Sequence, residues 1–278
     1  MSAYQCVQHA DAAGFLARAE SWLLQNEAEH NLILGIAAQL RISPGVKAFL
    51  ATLEHDGDVV GCAFRTPPYK LGVTRMPHGA AEALVDSGAI ELSDVPSVLG
   101  PEAVASVVAD RIGRKRGKAA APGMRQRIYE LRQVAWPPRP PRGRLRLAQH
   151  ADFELLTEWL EAFAAETRHG PGDVPTYTLS HIANKAAFVW DDEGPKTTAL
   201  WSGLTPNGVR IGFVYTPPKL RGRGYASACV AGASQRALDS GYRFCCLYTD
   251  LGNPTSNDIY QRVGYRRVCD VVDYDLGA

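Results

Sequence analysis

Two hydrophobic rhythms alternate along the chain, and the alternation occurs twice. A short β-prone run at 4–7 precedes two stretches, about 11–25 and 28–40, whose apolar residues recur at helical spacing. The runs 46–54 and 59–65 read as strands joined by Asp56-Gly57, a pair suited to the positive φ angles of a tight hairpin. A strand at 71–76, helices at 78–88 and 102–116, a strand around 97–99 and another over 126–134 complete the first half. The same cadence then returns. A strand at 144–148 leads into helices at 153–167 and about 176–184, and strands follow at 186–191, 196–204 and 208–216. Next come a helix from Tyr225, a strand over 242–249, a short helix around Tyr260 and a terminal strand at 265–275. The 153–167 helix carries Leu155, Leu156, Trp159, Leu160 and Phe163 on one face, with Asp152 as its expected cap.

Between the two halves lies Trp136-Pro-Pro-Arg-Pro-Pro-Arg-Gly143. Proline disfavours helix before it and stiffens the chain into an extended spacer. The expected organisation is therefore a domain at 1–135, a linker at 136–143 and a domain at 144–278.

A glycine loop changes this picture from fold to chemistry. Val209 to Tyr215 is apolar, and Pro217 and Pro218 end it, because proline cannot donate to a ladder. Arg221, Gly222, Arg223 and Gly224 follow, and then a helix of small apolar residues begins at Tyr225 and Ala226. Glycines let a backbone turn sharply and approach a ligand, and the first amides of a helix lack internal partners. Such an end binds phosphate through hydrogen bonds and the helix dipole.

Arg221-x-x-Gly224-x-Ala226 resembles the loop that holds the coenzyme A pyrophosphate in the GNAT superfamily of acyl-CoA N-acyltransferases. Arg114-Lys-Arg-Gly117-Lys-Ala119 has the same spacing, but no strand precedes it and no apolar helix follows. A second block, Asn253-Pro-Thr-Ser-Asn257-Asp-Ile-Tyr260-Gln-Arg-Val-Gly264-Tyr265, is similar to the family's asparagine, short tyrosine-bearing helix and Gly-Tyr strand opening. The resemblance implies an α/β fold (an α+β mixed sheet) built as tandem GNAT-like domains, each a mostly antiparallel twisted sheet flanked by helices. On this resemblance the first half would be a diverged copy. After its 71–76 strand stand Pro77-His78-Gly79-Ala80-Ala81, without the arginine, so it is expected to lack its own cofactor site.

The resemblance also implies roles. Backbone amides of Arg223 to Ala226, with Arg221 and Gly222 beside them, would hold the pyrophosphate of acetyl-CoA. Val214 and Tyr215 would pair with the pantetheine amides, and an amide there would polarise the thioester carbonyl. Tyr260 is the candidate acid for the leaving thiolate; alternatively it packs on the inner face of its helix with Ile259 and Val263. Asn257 or Asn253 would position coenzyme A or a water, or cap the helix. The base is not identifiable: Glu161, Glu166 and Asp250 are candidates, each more readily a solvated carboxylate, and some members of the family need no dedicated base. The expected activity is acetyl transfer from acetyl-CoA to a primary amine by direct attack in a ternary complex. The other reading is a non-catalytic acyl-CoA-binding module for regulation or assembly. Acceptor choice would fall to residues 151–185, where His169 to Asp173 form a connector.

Composition narrows the alternatives. Net charge is +1, so neither nucleic acid nor a membrane is an expected partner; a homodimer stays open. The stretch 111–146 is the local exception, with twelve Lys or Arg against Glu130 alone. It reads as a solvated face or as an anion-binding surface. The six cysteines contain no C-x-x-C pair and the seven histidines no ligand cluster, so no metal is expected. Unpaired cysteines of this kind suit a reducing cytoplasm, and the first residues lack the pattern of a secretory leader. Gly222-x-Gly224-x-x-Ser227 fails as a dinucleotide fingerprint, lacking its third small residue. Gly113 to Lys118 is one residue short of a P-loop, and no G-x-S-x-G elbow occurs.

Overall fold

The computed structural model describes residues 4–43, 45–167 and 170–277. In chain order the elements are β1 (Gln5–Gln8), α1 (Ala12–Leu24), α2 (Asn31–Ile42), β2 (Phe49–His55), β3 (Asp58–Arg65), β4 (Leu71–Val73), α3 (His78–Asp86), β5 (Ser97–Gly100), α4 (Glu102–Arg116) and β6 (Ala121–Leu131). The series then repeats as β7 (Arg144–Leu147), α5 (Phe153–Thr167), α6 (Val174–Ala183), β8 (Ala187–Asp191), β9 (Pro195–Leu204), β10 (Gly208–Tyr215), α7 (Tyr225–Asp239), β11 (Phe244–Asp250), α8 (Pro254–Val263) and β12 (Arg266–Asp275). Each half thus runs strand, two helices, three strands, helix, strand, helix, strand.

The chain forms two compact units. The first contains residues up to Ile128 together with Asp250–Gly252 and Val268 onward; the second contains Tyr129–Thr249 and Asn253–Arg267. This differs from a division at 144. β5 pairs in parallel with β4 and needs a partner on its other edge. Val272–Asp275 of β12 supply it, antiparallel to Ser97–Gly100. The Arg127 guanidinium, on β6, grips both oxygens of Asp270, on β12, at 2.7 and 2.9 Å. The expected linker is also not a free spacer. The Trp190 indole donates to the Arg142 carbonyl at 2.8 Å, and the Ala135 amide donates to the Val263 carbonyl at 2.8 Å, both within the second unit.

In the first unit β1, β2, β3 and β4 pair antiparallel in sequence. β2 and β3 read almost continuously apolar because helices cover both of their faces. Leu50, Val59, Cys62 and Phe64 pack under α1 and α2. Phe49, Ala51, Leu53 and Ala63 pack under α3 and α4.

In the second unit the order is β11-β10-β9-β8-β7. All pairs are antiparallel except β10 with β11. On one face α7 and α8 bury Cys229, Val230, Ala233, Ala237, Tyr260 and Val263 against Phe188, Val209 and Leu247. On the other, α5 and α6 cover Val189, Leu200 and Tyr215, with Leu156, Trp159 and Leu160 buried as their spacing predicts. Asp152 is not the cap of α5. It closes a capping box on the preceding 3-10 turn, accepting from the Gln149 amide at 2.7 Å, and it holds Arg146 at 2.6 and 2.8 Å.

Candidate functional site

The candidate site in the second unit lies where β10 parts from β11. The parallel register of β10 with β11 runs over Gly208–Arg210 against Phe244–Cys246, and Ile211–Tyr215 lie beyond it. On the β9 side Gly212 faces Leu200 and Tyr215 faces Thr198. Phe213 and Val214 therefore share one partner position, a bulge in which Phe213 takes φ 49°. Bulges re-aim the groups around them, and this one lies at the expected thioester position. Val214 and Tyr215 flank it as the sequence places them. Tyr215 is buried and its carbonyl accepts from Thr197 Oγ1 at 2.7 Å, which anchors the strand's last residue.

Past β10 the two prolines set a single 3-10 turn, Pro218–Leu220, and the chain enters α7 through two left-handed glycines. Gly222 has φ 76° and Gly224 φ 80°, a region L-residues avoid, so the turn requires glycine at both positions. The Leu220 and Arg221 amides close back on Pro217 and Pro218, and the Ala228 amide binds the Gly224 carbonyl. Between them, the amides of Gly222, Arg223, Gly224, Tyr225, Ala226 and Ser227 have no backbone partner among the described residues. Gly222–Gly224 are exposed. Six consecutive amides without backbone partners at the positive end of a helix are an arrangement suited to an anion. The first helical side chain is pinned, since Tyr225 Oη donates to Asp192 Oδ2 at 2.8 Å.

Arg221 is exposed but not free. Its Nη2 donates to both carboxylate oxygens of Glu166 at 2.8 Å, and its Nε donates to the Thr216 carbonyl at 2.8 Å. Asp250 accepts from the Gly252 amide at 2.8 Å, and Glu161 is exposed. Asn253 caps α8 by accepting from the Ser256 amide at 3.0 Å. Asn257 gives its Nδ2 to the Asn253 carbonyl at 2.8 Å and accepts the hydroxyl of Tyr129 at 3.1 Å. Sequence reading missed Tyr129, because a buried strand tyrosine carries no local sign of the helix it will hold.

Tyr260 is 8% exposed, with its ring 6.5 Å from that of Tyr129 and 6.0 Å from that of Tyr265. Burial pushes its phenol up to about 12. Its hydroxyl has no hydrogen-bond partner among the described residues, so a proton donor stands unengaged. The Tyr260 ring lies in one buried cluster with Val263, and Ile259 packs against it.

The model of the Acetyltransferase (GNAT) family matches residues 126–265 of the chain's 278. The chain belongs to the GNAT acetyltransferase family. Its fold recurs in solved structures that match it nearly end to end. A Drosophila protein has 12% identity and a TM-score of 0.70, covering 99% of each chain. A GCN5-related N-acetyltransferase from Sphaerobacter thermophilus has 20% identity and a TM-score of 0.59, over 98% of this chain and 96% of that one. A tandem GNAT protein from the clavulanic acid biosynthesis pathway has 11% identity and a TM-score of 0.51, over 99% of each. No curated protein sequence matches the chain.

The entry into α3 in the first unit is built differently from the entry into α7. There α3 begins at His78 behind Pro77, which offers no side-chain cap. No left-handed glycine lies between β4 and α3, and a Cβ on Gly79 would meet the Tyr4 ring at 2.8 Å. The rejected copy at 114–119 falls at the C-terminal end of α4, where a helix presents carbonyls instead of amides.

Part of the basic stretch is paired with carboxylates where it stands. Arg111 pairs with Glu82 and Asp86, Lys115 with Asp86 and Arg125 with Glu102. Arg132 pairs with Glu130, and Arg146 with Asp152 and Asp191. Among the described residues no cluster of three His, Cys, Asp or Glu is placed to hold a metal, and no helix is long and apolar enough to cross a membrane.

Proposed function

We propose that the second unit binds acetyl-CoA and carries acetyl transfer to a primary amine by direct attack in a ternary complex. The observation that carries this reading is the run of six unpartnered amides from Gly222 to Ser227, beside the bulged end of β10. These amides suit the diphosphate of the cofactor, and acetyl-CoA supplies an acyl thioester activated toward amines. The edge at Val214 and Tyr215 would pair with the pantetheine arm, and a bulge amide would donate to the thioester carbonyl. Tyr260 would protonate the departing sulfur; with its phenol at about 12 it remains a donor at neutral pH. Glu166 is committed to Arg221, which argues against it as the base.

The test is an acceptor panel of amino acids, polyamines, amino sugars and peptides with acetyl-CoA, read as released thiol. Thiol release with at least one amine is the expected result. Coenzyme A affinity without release for any acceptor would favour the non-catalytic module instead. Absence of affinity would overturn the reading.

A further inference from the structure

We propose that Arg221 acts as a strut and not as a diphosphate ligand, and that Glu166 is the positioning residue that holds it. The inference rests on the acetyl-CoA reading above. Arg221 opens the glycine loop, where a cation would ordinarily be assigned to phosphate. Here its donors face inward. Nη2 reaches both oxygens of Glu166 at 2.8 Å, Nε reaches the Thr216 carbonyl at 2.8 Å, and the guanidinium lies 5.6 Å from the centre of the Tyr215 ring. Tyr215 Oη donates to the same Glu166 oxygen at 3.4 Å. Thr216 Oγ1 donates to Thr197 Oγ1 at 2.7 Å, and Thr197 Oγ1 donates on to the Tyr215 carbonyl. One carboxylate near the end of α5 therefore gathers the first residue of the loop and the last residue of β10.

The consequence is geometric. The strand end that would place the thioester and the amides that would hold the diphosphate are separate subsites, joined by the five residues from Thr216 to Leu220, two of them prolines that set a single 3-10 turn. Fixing Arg221 to Thr216, Tyr215 and Glu166 fixes the distance between the subsites. A ligand that spans both gains from that fixed spacing as any bivalent ligand does, through the effective concentration of its second half. Both side chains are about half exposed (47% and 45%), so the ion pair itself adds little to the stability of the fold. Glu166 also offsets the charge of Arg221, which leaves the cradle's attraction for anions to its amides and to Arg223.

The test compares coenzyme A with ADP, which carries the diphosphate without the pantetheine arm, by calorimetry on the full chain. The variants are Glu166→Gln, Arg221→Lys and the two combined. Lysine keeps the charge but cannot reach Glu166 and Thr216 together. A strut predicts that each single variant weakens coenzyme A about tenfold while ADP affinity stays within about twofold. The double variant should be no weaker than either single one, because the same link is already broken. If Arg221 binds phosphate instead, Arg221→Lys will retain affinity and Glu166→Gln will tighten both ligands. That result, or unchanged affinities in both single variants, overturns the proposal while leaving the acetyl-CoA reading intact. A wild-type chain that binds neither ligand overturns both.

Discussion

Tyr129 donates its hydroxyl to Asn257 Oδ1 at 3.1 Å, and Gln261 Nε2 donates to that hydroxyl at 3.2 Å. A tyrosine at the end of β6 thus ties down two successive turns of α8. Asn257, which the family resemblance offers to coenzyme A, already has both ends of its amide engaged within the chain. Tyr129→Phe removes the shared hydroxyl and should cost about 1–2 kcal/mol, the usual penalty for stranding a partly buried polar partner. Urea unfolding checks this, and coenzyme A affinity measured alongside should not change.

Gly224 stands at φ 80°, and an added Cβ would make only an ordinary contact, with Pro141 at 3.7 Å. A side chain there meets backbone strain before it meets a neighbour. Gly224→Ala should cost about 1 kcal/mol through the left-handed conformation alone. Gly224→Glu adds a carboxylate inside the anion cradle and should abolish coenzyme A binding. Calorimetry on the folded Glu variant decides the matter, and unchanged affinity would remove the cradle from residues 222–227.

Tyr260→Phe separates the acid from the packing residue. The ring remains, so cofactor affinity and stability should hold within error. Turnover with any accepted amine should fall about a hundredfold. Equal losses in affinity and turnover, or no loss in either, would return Tyr260 to the core.

Alkaline stability follows from the buried acids. Burial raises the thiols of Cys229, Cys245 and Cys269 from 9.0 to about 12, and the phenols of Tyr177 and Tyr260 from 10.0 to about 12. Folding favours the neutral form of each. Below the unfolded values both states keep these protons, and stability does not depend on them. As pH rises from about 9 toward 12 the unfolded chain ionises first, so stability falls across that window. The urea midpoint should stay level from neutral pH to about 8.5 and then decline. A midpoint that rises over the alkaline range would contradict the burial of these groups.

The first unit should bind no acyl-CoA of its own. No left-handed glycine lies between β4 and α3, and the Tyr4 ring stands 2.8 Å from where a Cβ on Gly79 would be. Calorimetry on the full chain should return one coenzyme A per chain, and two equivalent sites would refute this.

The elements were legible in the sequence to within a few residues, because the patterns that define them are local. Asp56-Gly57 marks its hairpin, and the 3.6-residue stripe of α5 marks its buried face. The glycine loop was legible for the same reason, since Gly222 and Gly224 meet a backbone demand made within the loop itself. What escaped was set by distant partners. Nothing near Glu166 announces Arg221, 55 positions later, and nothing near Tyr129 announces Asn257. The bulge at Phe213 depends on how β9 lies against β10. The division at 144 followed the prolines, yet β12 reads equally well as a strand beside either neighbour, and only the pairing to Val98 and Leu99 assigns it.

That pairing sets a timetable for synthesis. Ser97–Gly100 leaves the ribosome about 170 residues before the strand that flanks it, and contacts of such separation form slowly. Until Val272–Asp275 emerge, β5 has an open edge, which a neighbouring nascent chain could pair with. The first unit is therefore begun before the second and finished after it. Severing the chain within residues 136–143 would yield an incomplete N-terminal fragment and a C-terminal fragment carrying its missing strand.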